Sequence, residues 1–401
     1  MIEISKAIKI IERETGVLAP ERIDLNDSVG RILVEDIVAD TDLPPFDRSQ
    51  MDGFAVIAAD TKNAPVTLKI VGESVAGRGW HHTMKSGEAV RIMTGAPVPA
   101  GADAVQKVEL TRSHDLEASD AVEILEPVKK GAAIVRLGAE IKKGRKVFSK
   151  GEVVTDNMIA AIASFGYANV KVAKQPRVGI LATGSEIVDI HKKPGRDQIR
   201  NSNAVMLNAL AEGCGAAPKT FPTANDNLLN LKSQIRSASK NNDILIITGG
   251  VSVGKYDLTK LALAELGAKI FFEKVRLKPG KPTVFARLNK TLVFGLPGNP
   301  VSAAVTFYLF VRMAILQMQG SIETELRTGF ASLGTDVKGA VDRDTYQPSR
   351  LETNRNGQLI AHPLRSQGSS DFIAFARADS LIFAAAGKSY KMGDVVEIKY
   401  L

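Results

Sequence analysis

Three stretches between residues 177 and 318 decide the fold: residues 177–182 (RVGILA), 243–248 (DILIIT) and 301–318 (VSAAVTFYLFVRMAILQM). The first two are short apolar runs that are typical of buried strands, and the third has the length and apolar content of a buried helix. Ser202 is a candidate cap for a helix that ends at Gly213. Further segments complete the pattern: a helix at 257–266 and strands at 269–277 and 292–296. Strands that alternate with helices predict a parallel or mixed sheet with helices on both faces.

The sequence on either side of this α/β region predicts smaller units. Residues 54–136 and 328–401 contain short alternating or apolar runs separated by Gly and Pro, so both are expected to be β-rich. Residues 2–15 carry apolar side chains at helical spacing and precede Gly16, which predicts an amphipathic helix. Residues 42–54 (DLPPFDRSQMDGF) combine prolines, aspartates and a glycine, which indicates a constrained loop at a domain boundary.

Composition limits the class of protein. The chain has 401 residues, of which 44% are hydrophobic and 24% charged, so we expect a soluble globular protein of about two to four domains. Its only cysteine, Cys214, excludes an intramolecular disulfide and a cysteine-held iron–sulfur cluster. The first residues, MIEISKAIKI, lack the pattern of a secretion signal, and a reducing cytoplasm is compatible with the low cysteine content. The longest uncharged stretch, residues 291–311, contains two prolines and two glycines, so we expect no membrane-spanning segment.

Charge points to small anionic partners. The formal net charge is +8, but aromatic residues make up only 5% of the chain, and it has one tryptophan. Stacking platforms for nucleic acid are therefore scarce, and no run of five or more basic residues occurs. We expect the basic residues to serve particular sites for anions, and we expect neither nucleic acid nor a membrane as a partner.

A glycine-rich loop follows the strand at 243–248 and reads TGGVSVGKYD (residues 248–257). Ligands of open α/β sheets bind outside the carboxyl ends of the strands, and glycines let a phosphate approach the backbone. The candidate phosphate-binding residues of this loop are Gly249, Gly250, Ser252 and Gly254. The loop nearly matches a P-loop, but Tyr256 stands where the magnesium-binding hydroxyl belongs. It also matches the nucleophile motif GxSxG, for which the only downstream histidine, His362, lies in the separate C-terminal region.

A basic turn and a helix start supply further anion-binding candidates. Residues 271–290 contain six basic side chains and one acidic one, and the turn LKPGKP (277–282) places Lys278 and Lys281 around two prolines, the second being Pro282. Two ammonium groups on a stiff turn suit a phosphate or another tetrahedral oxyanion, although a solvated surface loop remains the alternative. Residues 295–302 (GLPGNPVS) join a strand to the long helix, and Ser302 either caps this helix or takes part in an anion site.

Carboxylates follow several strands of the same region. Glu186 comes after the first strand, Asp226 lies in an Asn-Asp-Asn sequence, and Asp257 closes the glycine-rich loop. Each taken alone is more typical of a cap or a solvated group. Together at strand ends they suit Mg²⁺ carried with a phosphate substrate, because Mg²⁺ prefers oxygen ligands.

Six stretches span nearly the whole chain: PFDRSQMDGFAV (45–56), RIMTGAP (91–97), LATGSE (181–186), the loop at 248–257, LKPGKP (277–282) and GLPGNPVS (295–302). Taken together and in this order, they resemble the molybdopterin molybdenumtransferases, the MoeA-type family that also includes the E domain of gephyrin.

The resemblance implies an L-shaped, multidomain subunit that forms a homodimer. A discontinuous elongated domain would comprise residues 1–42 and 138–170. A β-rich domain would follow at 43–137, a three-layer α/β domain of the molybdopterin-binding, adenylyltransferase-like fold at 171–322, and a β-barrel-like domain at 323–401.

The implied reaction inserts molybdenum from molybdate into adenylyl-molybdopterin and releases AMP, with Mg²⁺ as the cofactor. The resemblance places Lys278, Lys281, Pro282 and Ser302 at an oxyanion site and adds Arg350 and either Ser369 or Ser370 from the last domain. Glu186, Asp226 and Asp257 match an acidic cleft. The resemblance also implies that Asp52 and Thr94 reach the cleft of the partner subunit.

Other classes of function remain open from the sequence. An adenylyltransferase would need only the α/β domain, and such an enzyme also stands as an upstream partner. A non-catalytic scaffold is allowed by the gephyrin resemblance, although no linker or fused domain accompanies it. The esterase hypothesis rests on Ser252 alone.

Overall fold

The computed structural model describes residues 1–112, 120–250, 258–364, 368 and 370–401. The chain folds into two compact units. The large unit comprises residues 1–35, 150–159 and 168–401, and the small unit comprises residues 36–149 and 160–167. The predicted multidomain fold of α/β and β-rich parts is confirmed, whereas the division into four domains stays a prediction.

A six-stranded mixed sheet forms the centre of the large unit. In spatial order its strands are Ala217–Thr220, Arg177–Ala182, Ile244–Thr248, Thr291–Leu296, Val284–Leu288 and Lys269–Phe272. The first four strands run parallel, and Val284–Leu288 is antiparallel to both of its neighbours. Val284–Leu288 was absent from the sequence prediction because it forms a tight hairpin with the following strand and interrupts the strand–helix alternation.

Helices cover both faces of this sheet, as predicted. Alternate strand residues point to opposite faces. Ile246 and Phe294 therefore join the apolar core under one layer of helices, which consists of Ile4–Glu14, Ser202–Gly213 and Pro300–Met318. Leu245 and Ile247 join the core under the other layer, formed by Leu228–Ser239 and Leu258–Glu265. The helix Leu228–Ser239 was not predicted, and Asp156–Ser164 is a further helix of the chain.

The predicted cap of the helix Ser202–Gly213 is wrong by one residue. Asn201 occupies the N-cap, and its side-chain oxygen accepts a hydrogen bond from the backbone N–H of Ala204 at 3.1 Å. Ser202 is instead the first residue of the helix. Both residue types satisfy the free N–H groups at a helix start, so the pattern alone did not separate the two neighbours.

The helix Pro300–Met318 contains a π-helical turn at Phe307–Val311. Its length and mean hydropathy of 1.6 would suffice to cross a membrane, but 83% of its most apolar window is buried inside the structure. Phe307, Phe310 and Ile315 are fully enclosed by the core. Its apolar character is therefore that of a core helix in this fold.

The remaining strands of the large unit form a second six-stranded sheet and three short ladders. The order of the second sheet is Leu277–Lys278, Asp344–Thr353, Leu359–Pro363, Thr328–Leu333, Val395–Tyr400 and Ser380–Ala384. The ladders pair Pro20–Asp24 with Asn169–Ala173, Ile187–Val188 with Ile199–Arg200, and Val337–Lys338 with Ser389–Tyr390. The single strand predicted at 269–277 is thus split, because Leu277–Lys278 leaves the central sheet for this second one.

The small unit is β-rich, as predicted. Its main sheet has the order Ala104–Lys107, Gly53–Val56, Glu88–Ile92, Val66–Ser74, Ala121–Ile124 and Thr111–Arg112. Two short ladders pair Arg48–Ser49 with Ile134–Val135 and Ile37–Val38 with Lys146–Phe148. Phe54 and Leu68 are among its fully buried side chains, so this sheet has an apolar core of its own.

Asp52 and Thr94 join two turns of the small unit. Asp52 precedes the strand Gly53–Val56, and Thr94 follows Glu88–Ile92. The Oδ1 atom of Asp52 accepts hydrogen bonds from the backbone N–H of Thr94 at 2.6 Å and from its hydroxyl at 2.8 Å. These two bonds, the backbone bond first, lower the pKa of Asp52.

This hydrogen-bonded pair predicts a pH-dependent contribution to stability. A lowered pKa in the folded state means that ionised Asp52 stabilises the fold above about pH 4 and that this contribution is lost as the pH falls through the folded pKa. Asp52→Asn keeps an acceptor oxygen but not the charge. We expect the unfolding midpoint of the variant to lie below that of the wild type at pH 7 and the gap to close as the pH falls below about 4. A gap of constant size over that range in thermal unfolding would rule out this role.

Candidate active site

The central sheet contains a point at which its strand order reverses. The chain runs from Arg177–Ala182 to Ala217–Thr220 on one side and then to Ile244–Thr248 on the other. Loops that leave the carboxyl ends of two such strands diverge and create a crevice. A cavity of about 750 Å³ lies here, which we call the switch-point cavity. Its lining includes Thr183, Glu186, Asn203, Thr248, Gly249 and Asn299.

A second cavity, of about 520 Å³, is lined by the predicted basic turn, and we call it the basic cavity. Lys278, Lys281, Pro282 and Ser302 all border it, so the structure brings these four predicted residues together. Two further cations complete its lining, Lys338 and Arg343. Among the described residues no carboxylate borders this cavity, which makes it a strong attractor for an anion.

The shape of the basic turn depends on Gly280. Its φ of +120° lies in the region that favours glycine, and an added Cβ would come within 2.5 Å of the Thr306 side chain. The Thr283 hydroxyl donates to the Gly280 carbonyl at 2.6 Å, and the Lys281 carbonyl accepts the Val275 N–H at 3.0 Å. These bonds hold the turn against the long helix, with Lys278 and Lys281 both at the cavity.

Parallel pairing carries the C-terminal cations to this turn. Leu277 lies opposite Asp344, and Lys278 lies opposite Thr345. Arg343, one residue before this pairing, lines the same cavity as the lysine turn. Its side chain is 25% exposed, and its Nη1 atom lies 3.6 Å from the Asp342 carboxylate. Its Nε atom is buried without a hydrogen-bond partner among the residues that the structure describes. A buried guanidinium donor of this kind is suited to an oxyanion, because an unpaired polar group is costly in the interior.

A buried tyrosine belongs to the same wall. Tyr346 borders the basic cavity, and burial, followed by the charges of Glu397, Asp344 and Glu325, raises the pKa of its hydroxyl. The side chain therefore adds no charge to the cavity at neutral pH.

The structure does not place Arg350 at either cavity. Arg350 is exposed on the strand Asp344–Thr353, where it pairs with His362, and Pro348 is the last residue of this strand that lines the basic cavity. Ser370 borders the switch-point cavity rather than the basic one. Ser369, the alternative serine, lies outside the described residues.

Sequence reasoning did not select Lys338 or Arg343. Arg343 lies between Asp342 and Asp344, a pattern that is typical of a solvated charged loop. Lys338 ends a two-residue strand with no local signal of function. Only the pairing of Leu277–Lys278 with the C-terminal strand reveals their position, and a one-dimensional pattern does not contain that long-range contact.

Asn203 ties together the walls of the switch-point cavity. Its Nδ2 atom donates to the Thr248 hydroxyl at 3.0 Å and to the Gly298 carbonyl at 2.7 Å. These bonds join the start of the helix Ser202–Gly213 to the carboxyl ends of the strands Ile244–Thr248 and Thr291–Leu296. Asn299, next along the chain, borders both cavities, so the two cavities adjoin at this residue.

The described part of the glycine-rich loop would let a ligand come close to the backbone. Gly249 and Gly250 both have positive φ, and a Cβ on Gly249 would meet the Thr183 carbonyl oxygen at 2.4 Å. Gly249 borders the switch-point cavity. Ser252, Gly254 and Asp257 lie outside the described residues, so their predicted roles stay predictions.

The other two carboxylates lie on neighbouring loops. Glu186 borders the switch-point cavity. Asp226 accepts hydrogen bonds from the backbone N–H of Ser185 at 3.1 Å and from its hydroxyl at 2.7 Å. No group of three or more metal-binding acid, histidine or cysteine side chains occurs within the described ranges. Asp226 lines neither cavity, so Glu186 is the carboxylate that the described structure offers at the switch-point cavity. One carboxylate together with substrate phosphates is a typical ligand set of Mg²⁺.

His362 offers no support for the esterase hypothesis. Its ring lies beside Gly334 in the C-terminal sheet, and its Nε2 atom is 3.7 Å from the Glu352 carboxylate.

Asp52 and Thr94 contact each other in the small unit through the two hydrogen bonds described above.

Family models and relatives cover nearly the whole chain. Residues 2–166 match the MoeA N-terminal region (domains I and II), residues 179–317 match a probable molybdopterin-binding domain, and residues 331–401 match the MoeA C-terminal region (domain IV). A molybdopterin molybdenumtransferase of Bacillus subtilis is 37% identical over 94% of this chain and 89% of its own length. One of Staphylococcus aureus is 35% identical over 99% of this chain and 95% of its own length.

A solved structure agrees with the sequence relatives. The molybdopterin biosynthesis MoeA protein of Pyrococcus horikoshii OT3 superposes with a TM-score of 0.85 at 27% identity, and the match covers 100% of both chains. The fold, the motifs and the full-length similarity agree, and the chain therefore belongs to the MoeA family of molybdopterin molybdenumtransferases.

Proposed function

We propose that this protein is a molybdopterin molybdenumtransferase, which inserts molybdenum from molybdate into adenylyl-molybdopterin and releases AMP. The observation that carries the proposal is the basic cavity, which four cations line with no carboxylate among its described lining residues, although the Asp342 carboxylate lies 3.6 Å from Arg343. Molybdate is a tetrahedral dianion, and such a cavity is suited to it. The adjoining switch-point cavity would hold the adenylylated pterin, with its reacting end near Asn299.

Lys278 and Lys281 would bind the oxyanion as point charges, and Ser302 and Tyr346 would donate neutral hydrogen bonds. We propose that Arg343 supplies the guanidinium contact that family resemblance alone assigned to Arg350. A guanidinium fork fixes the orientation of an oxyanion, whereas an ammonium contributes mainly charge. Positioning and electrostatic stabilisation, rather than a protein nucleophile, would supply most of the rate acceleration.

Magnesium is proposed as the cofactor, with Glu186 and Asp226 as its protein ligands and Asp257 as a further candidate. When bound, it would polarise the phosphoanhydride that links AMP to the pterin. Gly249, at the described start of the glycine-rich loop, would let the substrate phosphates approach the backbone at the switch-point cavity.

The cellular setting is also part of the proposal. We propose a cytoplasmic homodimer in which Asp52 and Thr94 serve the cleft of the partner subunit. An adenylyltransferase acting one step earlier would supply the substrate. Homology to the MoeA family supports these points.

Lys281→Ala tests the oxyanion role of the basic turn. We expect the molybdate concentration for half-maximal AMP release to rise at least about tenfold, because a hydrogen bond to a charged group is lost. Lys290→Ala is the matched control, since Lys290 is an exposed lysine on the same hairpin away from both cavities. AMP release by Lys281→Ala that is unchanged at limiting molybdate would refute this role.

Arg343→Ala and Arg350→Ala form a second pair. We expect Arg343→Ala to weaken molybdate binding about tenfold or more and Arg350→Ala to leave it near the wild-type value. Equilibrium binding of molybdate measures both. If Arg350→Ala weakened molybdate binding and Arg343→Ala did not, the guanidinium contact would belong to Arg350.

Glu186→Gln tests the metal role. The variant keeps the size and hydrogen-bonding oxygen of the side chain but loses the charge that Mg²⁺ prefers. We expect the Mg²⁺ concentration for half-maximal AMP release to rise, with partial recovery at high Mg²⁺. A lower maximal rate at an unchanged Mg²⁺ requirement would instead indicate a role in which Glu186 does not bind the metal.

A further inference from the structure

The switch-point cavity has one aromatic side chain among the described residues that line it, Phe372. Phe372 begins the short helix Phe372–Phe375 in the C-terminal part of the large unit. Its side chain is 45% exposed, although phenylalanine is ordinarily buried. None of the roles proposed above involves this residue.

The helix that carries Phe372 is fixed at both ends. Asp371 caps it, because its side-chain oxygen accepts the Ala374 N–H at 3.1 Å. Phe375 packs against the apolar core of the large unit. With its neighbours anchored in this way, Phe372 is held at the cavity edge rather than free to turn into the core.

Phe372 also borders a third cavity, of about 360 Å³, on the other side. That cavity shares Ser202, Asn203 and Pro300 with the switch-point cavity and is otherwise mainly apolar. Phe372 therefore lies between the switch-point cavity and the third cavity. A ligand in the switch-point cavity can contact it without any rearrangement of the apolar core.

The rest of the switch-point cavity combines apolar and polar surface. Ile187 and Ile199 supply the apolar part. The side chains of Gln198, Arg200 and Asn201 also line the cavity, and each of them is hydrogen-bonded to the backbone of the protein. An aromatic ring recognises the face of a flat heterocycle, and apolar surface beside the ring suits the same ligand.

We propose that Phe372 stacks on the planar nitrogen heterocycle of the substrate and so positions it for the reaction at the adjoining basic cavity. This inference rests on the proposed function. The pterin and the adenine of adenylyl-molybdopterin share the chemistry that the ring would recognise. A stacking contact of this type binds substrate without taking part in bond making or breaking.

The test compares Phe372→Ala with Phe372→Trp and with Ile373→Ala. Ile373 is 69% exposed on the same helix and borders neither cavity, so its variant is the matched control. The measurements are the dissociation constants of AMP and of a phosphorylated pterin, together with KM and kcat for adenylyl-molybdopterin. Phe372→Leu, which keeps an apolar side chain of similar size but has no aromatic face, provides a second variant should the alanine variant fold poorly.

We expect Phe372→Ala and Phe372→Leu to raise KM roughly 5- to 50-fold and to leave kcat unchanged, because stacking holds the ring equally before and during the reaction. Phe372→Trp should restore the wild-type KM, and Ile373→Ala should behave as the wild type. Weaker binding of the phosphorylated pterin would identify the pterin as the stacked ring, and weaker binding of AMP would identify the adenine.

A KM for Phe372→Ala equal to that of the wild type would overturn the inference while the proposed function stands. A loss of kcat without a change in KM would also overturn it. A wild-type protein that does not convert adenylyl-molybdopterin would instead refute the proposed function itself.

Discussion

The pairing of Leu277–Lys278 with Asp344–Thr345 is the constraint on which the site depends. These two short segments come from distant parts of the chain, and their parallel pairing brings the strand that follows Arg343 to the lysine turn. Without this register the cations would lie on separate surface loops, where water would screen them. Brought together around one cavity, they attract an anion more strongly than each would alone. The same contact thus joins the C-terminal sheet to the α/β part and contributes to the positive charge of the basic cavity.

The central sheet shapes the crevice in which we propose that the polyanionic substrate binds, next to the proposed oxyanion site. Its strand order reverses beside Arg177–Ala182, and the loops there separate to leave a crevice. The helix Pro300–Met318 begins where this crevice adjoins the basic cavity, with Asn299 at its N-cap and Ser302 in its first turn. The buried apolar length of that helix anchors both cavities, since its start cannot shift without disturbing the core around Phe307 and Phe310.

Local pattern was enough to predict much of the fold. The apolar runs at 177–182 and 243–248 are strands, and the long apolar segment after Pro300 is a buried helix, because these elements are specified by their own residues. The strand Val284–Leu288 was missed because its partner is a neighbour in a hairpin rather than a step in the strand–helix alternation. Lys278, Lys281 and Ser302 were predicted from turn chemistry and helix-start chemistry. Arg343 and Phe372 were not, because each acquires its position only through a long-range contact that residue order does not reveal.

A crystal of the protein soaked with tungstate, a heavy tetrahedral analogue of molybdate, tests the central claim most directly. The anomalous signal locates the metal without any assumption about the residues around it. The account predicts one tungsten peak in the basic cavity, within hydrogen-bonding reach of Lys278, Lys281 and Arg343. A peak only in the switch-point cavity, or no peak in either cavity when adenylyl-molybdopterin is also supplied, would contradict it.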